Sequence, residues 1–330
     1  MRPIATAVVA AFSVLAPAAA QEPARTARIE RIDPALDTLI AADAPIERVA
    51  TGFGFTEGPL WHDGKLWFSD VVGDKLRTVD RAGKVTELLA NSGGLANPPA
   101  GASIGSNGLI PDRDGSVLMA QMGARQIVRV DAAGKVTPFL SAYQGKRLNS
   151  PNDLVYAPDG ALWFTDPPFG LFNGMDKDPK KELPNNPVFR YAGGKLEAVI
   201  TDLKLPNGIG LSPKGDTLYI ADYGQATIFA YKVARDGAVS DRRSFFAFPK
   251  GPGGGADGLK VDLRGNVWAT GPGGIWIFSP AGKTLGRIHM PETAANLAFG
   301  EQGDALWITA STSIYRVPIK GVGALPRFAR

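Results

Sequence analysis

Short apolar runs separated by polar turns recur along this chain from about residue 50 to residue 317. The clearest copy is LNSPNDLVYAPDGALWFTDPPFGL, Leu148 to Leu171: a Pro-Asn-Asp corner, an apolar run, an Asp-Gly turn and a second run ending in Thr-Asp. The outline appears six times. Each copy opens on an oxygen-bearing side chain: Glu57, Asn107, Asn152, Asn207, Asp257 and Asn296, at intervals of 50, 45, 55, 50 and 39. A period of about 45 with several strands per unit indicates a β-propeller or a solenoid. Within a unit, a short strand meets a Gly-containing turn (Asp63-Gly64, Asp114-Gly115, Asp159-Gly160, Gly265-Asn266), then an aromatic-rich strand, then a third such as IVRVD or TIFAYKV. In several units a Gly-Lys turn (Gly83-Lys84, Gly134-Lys135, Gly194-Lys195) leads into a fourth. These dipeptides are hairpin signals, and four antiparallel strands per unit make a propeller blade. The pattern therefore predicts an all-β fold, a six-bladed β-propeller of four-stranded antiparallel blades, over residues 46–330. Helical periodicity is absent over any long window.

Trp67, Trp163, Trp268 and Trp307 occupy matching second-strand positions, with Leu118 and Tyr219 in the other two units. Equivalent large side chains in adjacent blades are expected to pack between blades, where they bury much apolar area.

The first twenty residues fall outside this pattern. A basic start, an apolar run from Ile4 to Leu15 and Ala18-Ala19-Ala20 fit a secretory signal peptide over residues 1–20, cleaved after Ala20. The apolar run is shorter than the ~20 residues a spanning helix needs, so a periplasmic or secreted protein without a membrane span is expected. Residues 21–45 read as a polar lead-in with one helical turn, followed by a short strand around Ile46 to Val49. There are no cysteines and two histidines. Thiolate chemistry is thereby excluded, and a multi-histidine transition-metal site is not expected. The net charge of +4 comes with no dense basic cluster, so no nucleic-acid partner is expected. A monomer or weak dimer is expected.

In a propeller the first strand of each blade lines the central channel. The six opening residues are therefore expected to converge on the axis. Asn and Asp also suit tight turns, but Glu57 has no such preference. Glu57 and Asp257 bring two negative charges, and Asn152 and Asn207 bring neutral oxygens. Two facing buried carboxylates repel unless a cation sits between them. All-oxygen donors favour Ca²⁺ first and Mg²⁺ next, with Mn²⁺ or Zn²⁺ as further divalent candidates. Such a cation with open positions can polarise a carbonyl and activate water. Neither His62 nor His289 lies in a nucleophile motif, no G-x-S-x-G is present, and both histidines read as surface or turn residues. GPGGG at Gly251 to Gly255 lacks the Lys-Ser/Thr of a phosphate loop and reads as an approach to Asp257. Asp70, Asp166 and Asp222, at second-strand ends, read as turn caps.

EGPLW, NSPNDLV, FTDPPFG, LPNGIGLSP and ADGLKVD together resemble the senescence-marker-protein/gluconolactonase/luciferin-regenerating family, in family order from about Ile46 to Val317. The resemblance implies a six-bladed propeller that hydrolyses lactones with a divalent cation in its channel. It implies metal ligands at Glu57, Asn152, Asn207 and Asp257, with Asp257 also catalytic. Two departures bear on substrate. The mammalian branch has an Arg two residues before its channel Asn, where this chain has Ser150; the nearest arginine, Arg147, is a candidate substrate contact. The phosphotriesterase-like branch has a sixth-blade His, where this chain has Asn296. The bacterial gluconolactonase branch is the better match, and it makes Asn107 and Asn296 substrate-contacting or supporting groups. The expected partner is a small-molecule lactone or ester. The alternatives are a non-catalytic periplasmic metal-dependent binding propeller and a promiscuous aryl-ester or organophosphate hydrolase.

Overall fold

The apolar runs bury both of their faces. In the first blade Leu60, Trp67 and Leu76 pack with Leu109, Val117 and Met119 of the second blade. Trp61, Leu66 and Phe68, on the opposite face, pack with Trp307 and Ile314 of the sixth. An antiparallel sheet with one solvated face would alternate apolar and polar residues. Here each sheet is sandwiched between two others, so the strands read as continuous apolar stretches. One such cluster lies at each of the six blade junctions. The matching second-strand residues Trp67, Leu118, Trp163, Tyr219, Trp268 and Trp307 are all buried in them, as expected of interblade core.

The computed structural model describes residues 26–99, 102–249 and 255–329. They form a six-bladed β-propeller, with only short 3-10 turns as helical structure. The first blade runs outward through Thr56–His62, Lys65–Asp70, Lys75–Val79 and Val85–Ala90. The other blades open with Ser106–Pro111, Leu154–Tyr156, Pro206–Leu211, Leu259–Val261 and Ala294–Gly300. These first strands contact one another around the axis. Among the described residues no helix is long and apolar enough to cross a membrane.

The sixth repeat supplies only three strands, ending at Ser313–Pro318, and its outermost strand is Glu47–Thr51 from the other end of the chain. The pairing is antiparallel, with Glu47 opposite Arg316 and Thr51 opposite Ser313. This is the strand expected around Ile46 to Val49, and it closes the ring.

The lead-in is more than a tether. Arg28–Arg31 adds a fifth strand to blade five, with Arg28 opposite His289. The helical turn is Pro34–Thr38, where Asp33 Oδ1 accepts from Ala35 N at 2.8 Å. Behind it Leu36, Leu39 and Ile40 are buried at the junction of blades five and six.

Both histidines differ from the surface reading. His62 is buried in the first strand, edge-on to Trp67 at 5.5 Å, because the run from Leu60 carries on through it. His289 is part-buried and bonds to Glu30 Oε2 at 2.7 Å, joining blade five to its added strand. The expected signal peptide and most of the Gly251 to Gly255 loop lie outside the described residues. The third blade carries a long insertion between its strands Leu162–Thr165 and Val188–Ala192, and it is fastened: Asp178 accepts from Asn173 N and Lys180 N, and Leu183 is buried in the core.

Candidate active site

Four of the six channel strands open with an irregularity at the position the repeat marks. The ladder register shifts between Glu57 and Leu60, between Ser106 and Leu109, between Pro206 and Ile209, and between Ala294 and Asn296. A bulge turns a side chain away from the normal pleat, and here it turns polar groups toward the axis. Turn geometry does not explain these residues. None of the six has a left-handed backbone. The glycines that follow serve close approach instead. A Cβ on Gly58 would stand 1.9 Å from Asn107 O, and one on Gly208 would stand 2.3 Å from Asp257 O.

The six residues form a closed ring. Gly58 lies against Asn107 O, Gly108 N donates to Asn152 O at 2.8 Å, and Thr165 Oγ1 donates to Asn207 O at 2.7 Å. Gly208 N donates to Asp257 O at 3.0 Å, and Gly258 N donates to Ala295 O at 2.9 Å. Asn296 Nδ2 then donates to Glu57 Oε2 at 3.1 Å. Glu57, Asn107, Asn152, Asn207 and Asn296 are buried, and Asp257 alone is half-buried.

The turn-capping aspartates feed this ring. Asp70 Oδ1 accepts from Gly54 N and Phe55 N, Asp166 from Asn149 N and Ser150 N, and Asp222 from Lys204 N and Leu205 N. In each case the held amides lie two and three residues before a ring member: Glu57, Asn152 or Asn207. The side chain at the end of a blade's second strand thus fixes the entry to its first.

Electrostatically the ring is unsettled. Burial pushes the Glu57 carboxyl up to about 7; hydrogen bonds from Gly58 and Asn296 oppose this, and the Asp153 charge adds to it. Asp257 is raised well above the usual carboxylate range, first by burial of its carboxyl and then by the charges of Glu57 and Asp153. Asn152 Oδ1, Asn207 Oδ1 and Asp257 Oδ1 are buried and accept no hydrogen bond, and so is Asn107 Oδ1. Orphaned buried acceptors on one axis, beside two carboxylates that repel, are what a bound cation would satisfy. Among the described residues no group of three or more His, Cys, Asp or Glu could hold a metal ion by itself, so such an ion needs the carboxamides as well as the carboxylates. The donor set fits a hard divalent cation.

The remaining expected residues divide. Asn107 Nδ2 lies 3.5 Å from Met122 Sδ and its oxygen stays open. Asn296 is used up: its Oδ1 accepts from Leu297 N at 2.9 Å while its amide holds Glu57, which makes it a support for the ring. Arg147 stands outside the buried ring, exposed on a small hairpin, with its guanidinium donating to Ala124 O at 2.7 Å. Two channel residues escape the repeat pattern. Asp153 is buried and its Oδ2 accepts from Lys260 Nζ at 2.9 Å. The signal for Asp153 was available, since four of the other five repeats have glycine at that place. At the mouth Phe169 meets Tyr223 edge to face at 6.2 Å, and the Tyr223 ring lies over Gly255, two residues from Asp257.

Comparison with known proteins gives this ring a family. Residues 55–312 match the model of the SMP-30/Gluconolactonase/LRE-like region. A gluconolactonase of Zymomonas mobilis is 37% identical over 311 residues, covering 90% of this chain and 87% of the relative. The pentonolactonase XacC of Haloferax volcanii is 27% identical over 274 residues, covering 80% of this chain and 84% of its own. The solved structure of a gluconolactonase from Xanthomonas campestris superposes with a TM-score of 0.78 at 33% identity, covering 90% of this chain and 99% of that one. With the family model matched over residues 55–312 and a relative 37% identical across 90% of the chain, the chain belongs to the SMP-30/gluconolactonase/LRE-like family.

Proposed function

We propose that this protein is a divalent-cation-dependent lactonase that opens small lactone rings, aldonolactones first among them, at the mouth of its channel. One observation carries the reading: Asn152, Asn207 and Asp257, at the openings of three successive blades, carry buried oxygens that accept no hydrogen bond, and Asp257 feels the charge of Glu57. The lactone class is supported by the gluconolactonase and pentonolactonase relatives. Glu57, Asn152, Asn207 and Asp257 would hold the cation. Ca²⁺, with its flexible coordination, suits these all-oxygen donors better than Mg²⁺, which demands a near-ideal octahedron. When bound, the ion supplies positive charge that polarises the ring carbonyl and offsets the charge developing on its oxygen.

The chain's own residues do the rest. Asn296 holds Glu57 in place. Asp257, the one half-buried residue of the ring, takes a proton from the attacking water as general base. The water oxygen bonds to the carbonyl carbon, the ring C–O bond breaks, and Asp257 returns the proton to the leaving alkoxide. The product is the open hydroxy acid. Asn107 Oδ1 is free to accept from a substrate hydroxyl. Phe169 and Tyr223 form an apolar wall over Gly255, two residues before Asp257.

The test is hydrolysis of an aldonolactone panel followed by proton release. Turnover is expected to vanish in chelator and return with Ca²⁺. Asp257→Ala is expected to lower kcat by roughly a hundred- to ten-thousand-fold with an unchanged circular dichroism spectrum. Full activity in chelator, or in Asp257→Ala, would overturn the reading.

A further inference from the structure

Beneath the ring the channel contains a positive charge of its own. Lys260 lies three positions beyond Asp257 in a strand segment that is otherwise apolar at Leu259 and Val261. Its side chain is 24% exposed while that of its partner Asp153 is 4% exposed. The ammonium sits among three oxygens of three chemical kinds: Asp153 Oδ2 at 2.9 Å, the Leu259 carbonyl at 3.0 Å and Asn296 Oδ1 at 3.4 Å. A carboxylate, a backbone carbonyl and a carboxamide are also the donors from which protein sites for hard cations are built.

The charges balance in a telling way. The charges acting on Glu57 are those of Asp153 and Lys260, and the charges acting on Asp257 are those of Glu57 and Asp153. Three carboxylates against one ammonium leave two negative charges, which one divalent cation cancels. Without the ammonium, three would remain around the same axis. Lys260 also borders a cavity of about 310 Å³ that opens beyond the strand ends, at the channel end away from the ring. An ion taking its place would therefore have a path from solvent.

We propose that the Lys260 ammonium occupies a second cation position of the channel, so that the protein takes one divalent ion where its oxygens would otherwise take two. This rests on the proposed cation site in the ring. Lys260 is a positioning residue: it fixes Asp153 and Asn296, and Asn296 in turn holds Glu57.

The experiment is calcium titration by calorimetry, with no substrate present. The wild-type chain is expected to bind one Ca²⁺. Lys260→Met is expected to bind two, the second more weakly. Lys260→Met combined with Asp153→Asn should return to one, and Lys260→Arg should stay at one. If Lys260→Met does not accumulate as folded protein, Lys260→Gln undergoes the same titration and is likewise expected to bind two. A single equivalent in Lys260→Met or Lys260→Gln, at wild-type affinity, overturns the role of Lys260 and leaves the ring site standing. A wild-type chain that binds no divalent ion overturns both.

Discussion

Glu57 and Asp257 flank Asn296 in the ring, and the charge of Glu57 raises the affinity of Asp257 for protons. The consequence for stability has a definite sign. Glu57 titrates at about 7 in the folded chain against an ordinary 4.5, and Asp257 is raised as well. The folded protein therefore holds protons that the unfolded chain has released. This contribution to stability is complete below the ordinary value and is lost as pH rises through the folded one. In chelator, the thermal midpoint should fall as pH rises from about 5 to about 8. Saturating Ca²⁺ should remove most of that fall, because a cation favours the ionised pair. Identical curves with and without Ca²⁺ would show that no ion reaches these carboxylates. The ring itself was legible in the sequence, since six oxygens in one register can converge only if the repeats close. Lys260 was not legible, because its partner Asp153 lies 107 positions away and one lysine in an apolar strand looks like an ordinary exposed residue.

In blades one, three and four the channel strand gets its aim from the end of the next strand in its own blade. Asp166 shows how much depends on this. It is fully buried, its oxygens hold the Asn149 and Ser150 amides at 2.7 and 2.8 Å, and burial raises its carboxyl to about 7. Asp166→Ala would leave two buried amides without partners, at about 1–3 kcal/mol each. Urea denaturation should show a loss of that order, and Ca²⁺ titration should show weaker binding as the entry to Asn152 loosens. A destabilised variant with wild-type Ca²⁺ affinity would mean that Asp166 supports the blade without aiming the ring. The sequence marked Asp70, Asp166 and Asp222 as caps from their place at strand ends. It could not show which amides they cap, because those lie up to 18 residues earlier and reach them only after the blade has folded. The bulges were hidden for a similar reason: a Gly after a ring residue reads as a turn until the neighbouring strand's carbonyl is seen against it.

Over the whole molecule, six repeats predicted six blades, yet the outer layer departs from repetition. Arg28–Arg31 reads RIER, too short and too charged to announce a strand, and it joins blade five only because that blade's outer edge is free. Behind it Leu36, Leu39 and Ile40 are each at most 2% exposed. Fully burying such a side chain contributes about 1.5–3 kcal/mol. A chain lacking residues 26–45 but keeping Glu47–Thr51 should therefore melt at a clearly lower temperature by calorimetry; an unchanged midpoint would make the segment a passive covering. The closing strand raises a question of timing. Thr51 and Ser313 bond at 2.9 Å across 262 positions. At ribosomal rates of about 5–20 residues per second, the partner follows roughly 10–50 s later. Through that interval Glu47–Thr51 has no neighbour to pair with, and an unpaired strand invites the wrong one. Its sequence, ERVAT, starts with one charge of each sign, a composition that discourages adhesion while the last blade is still being made.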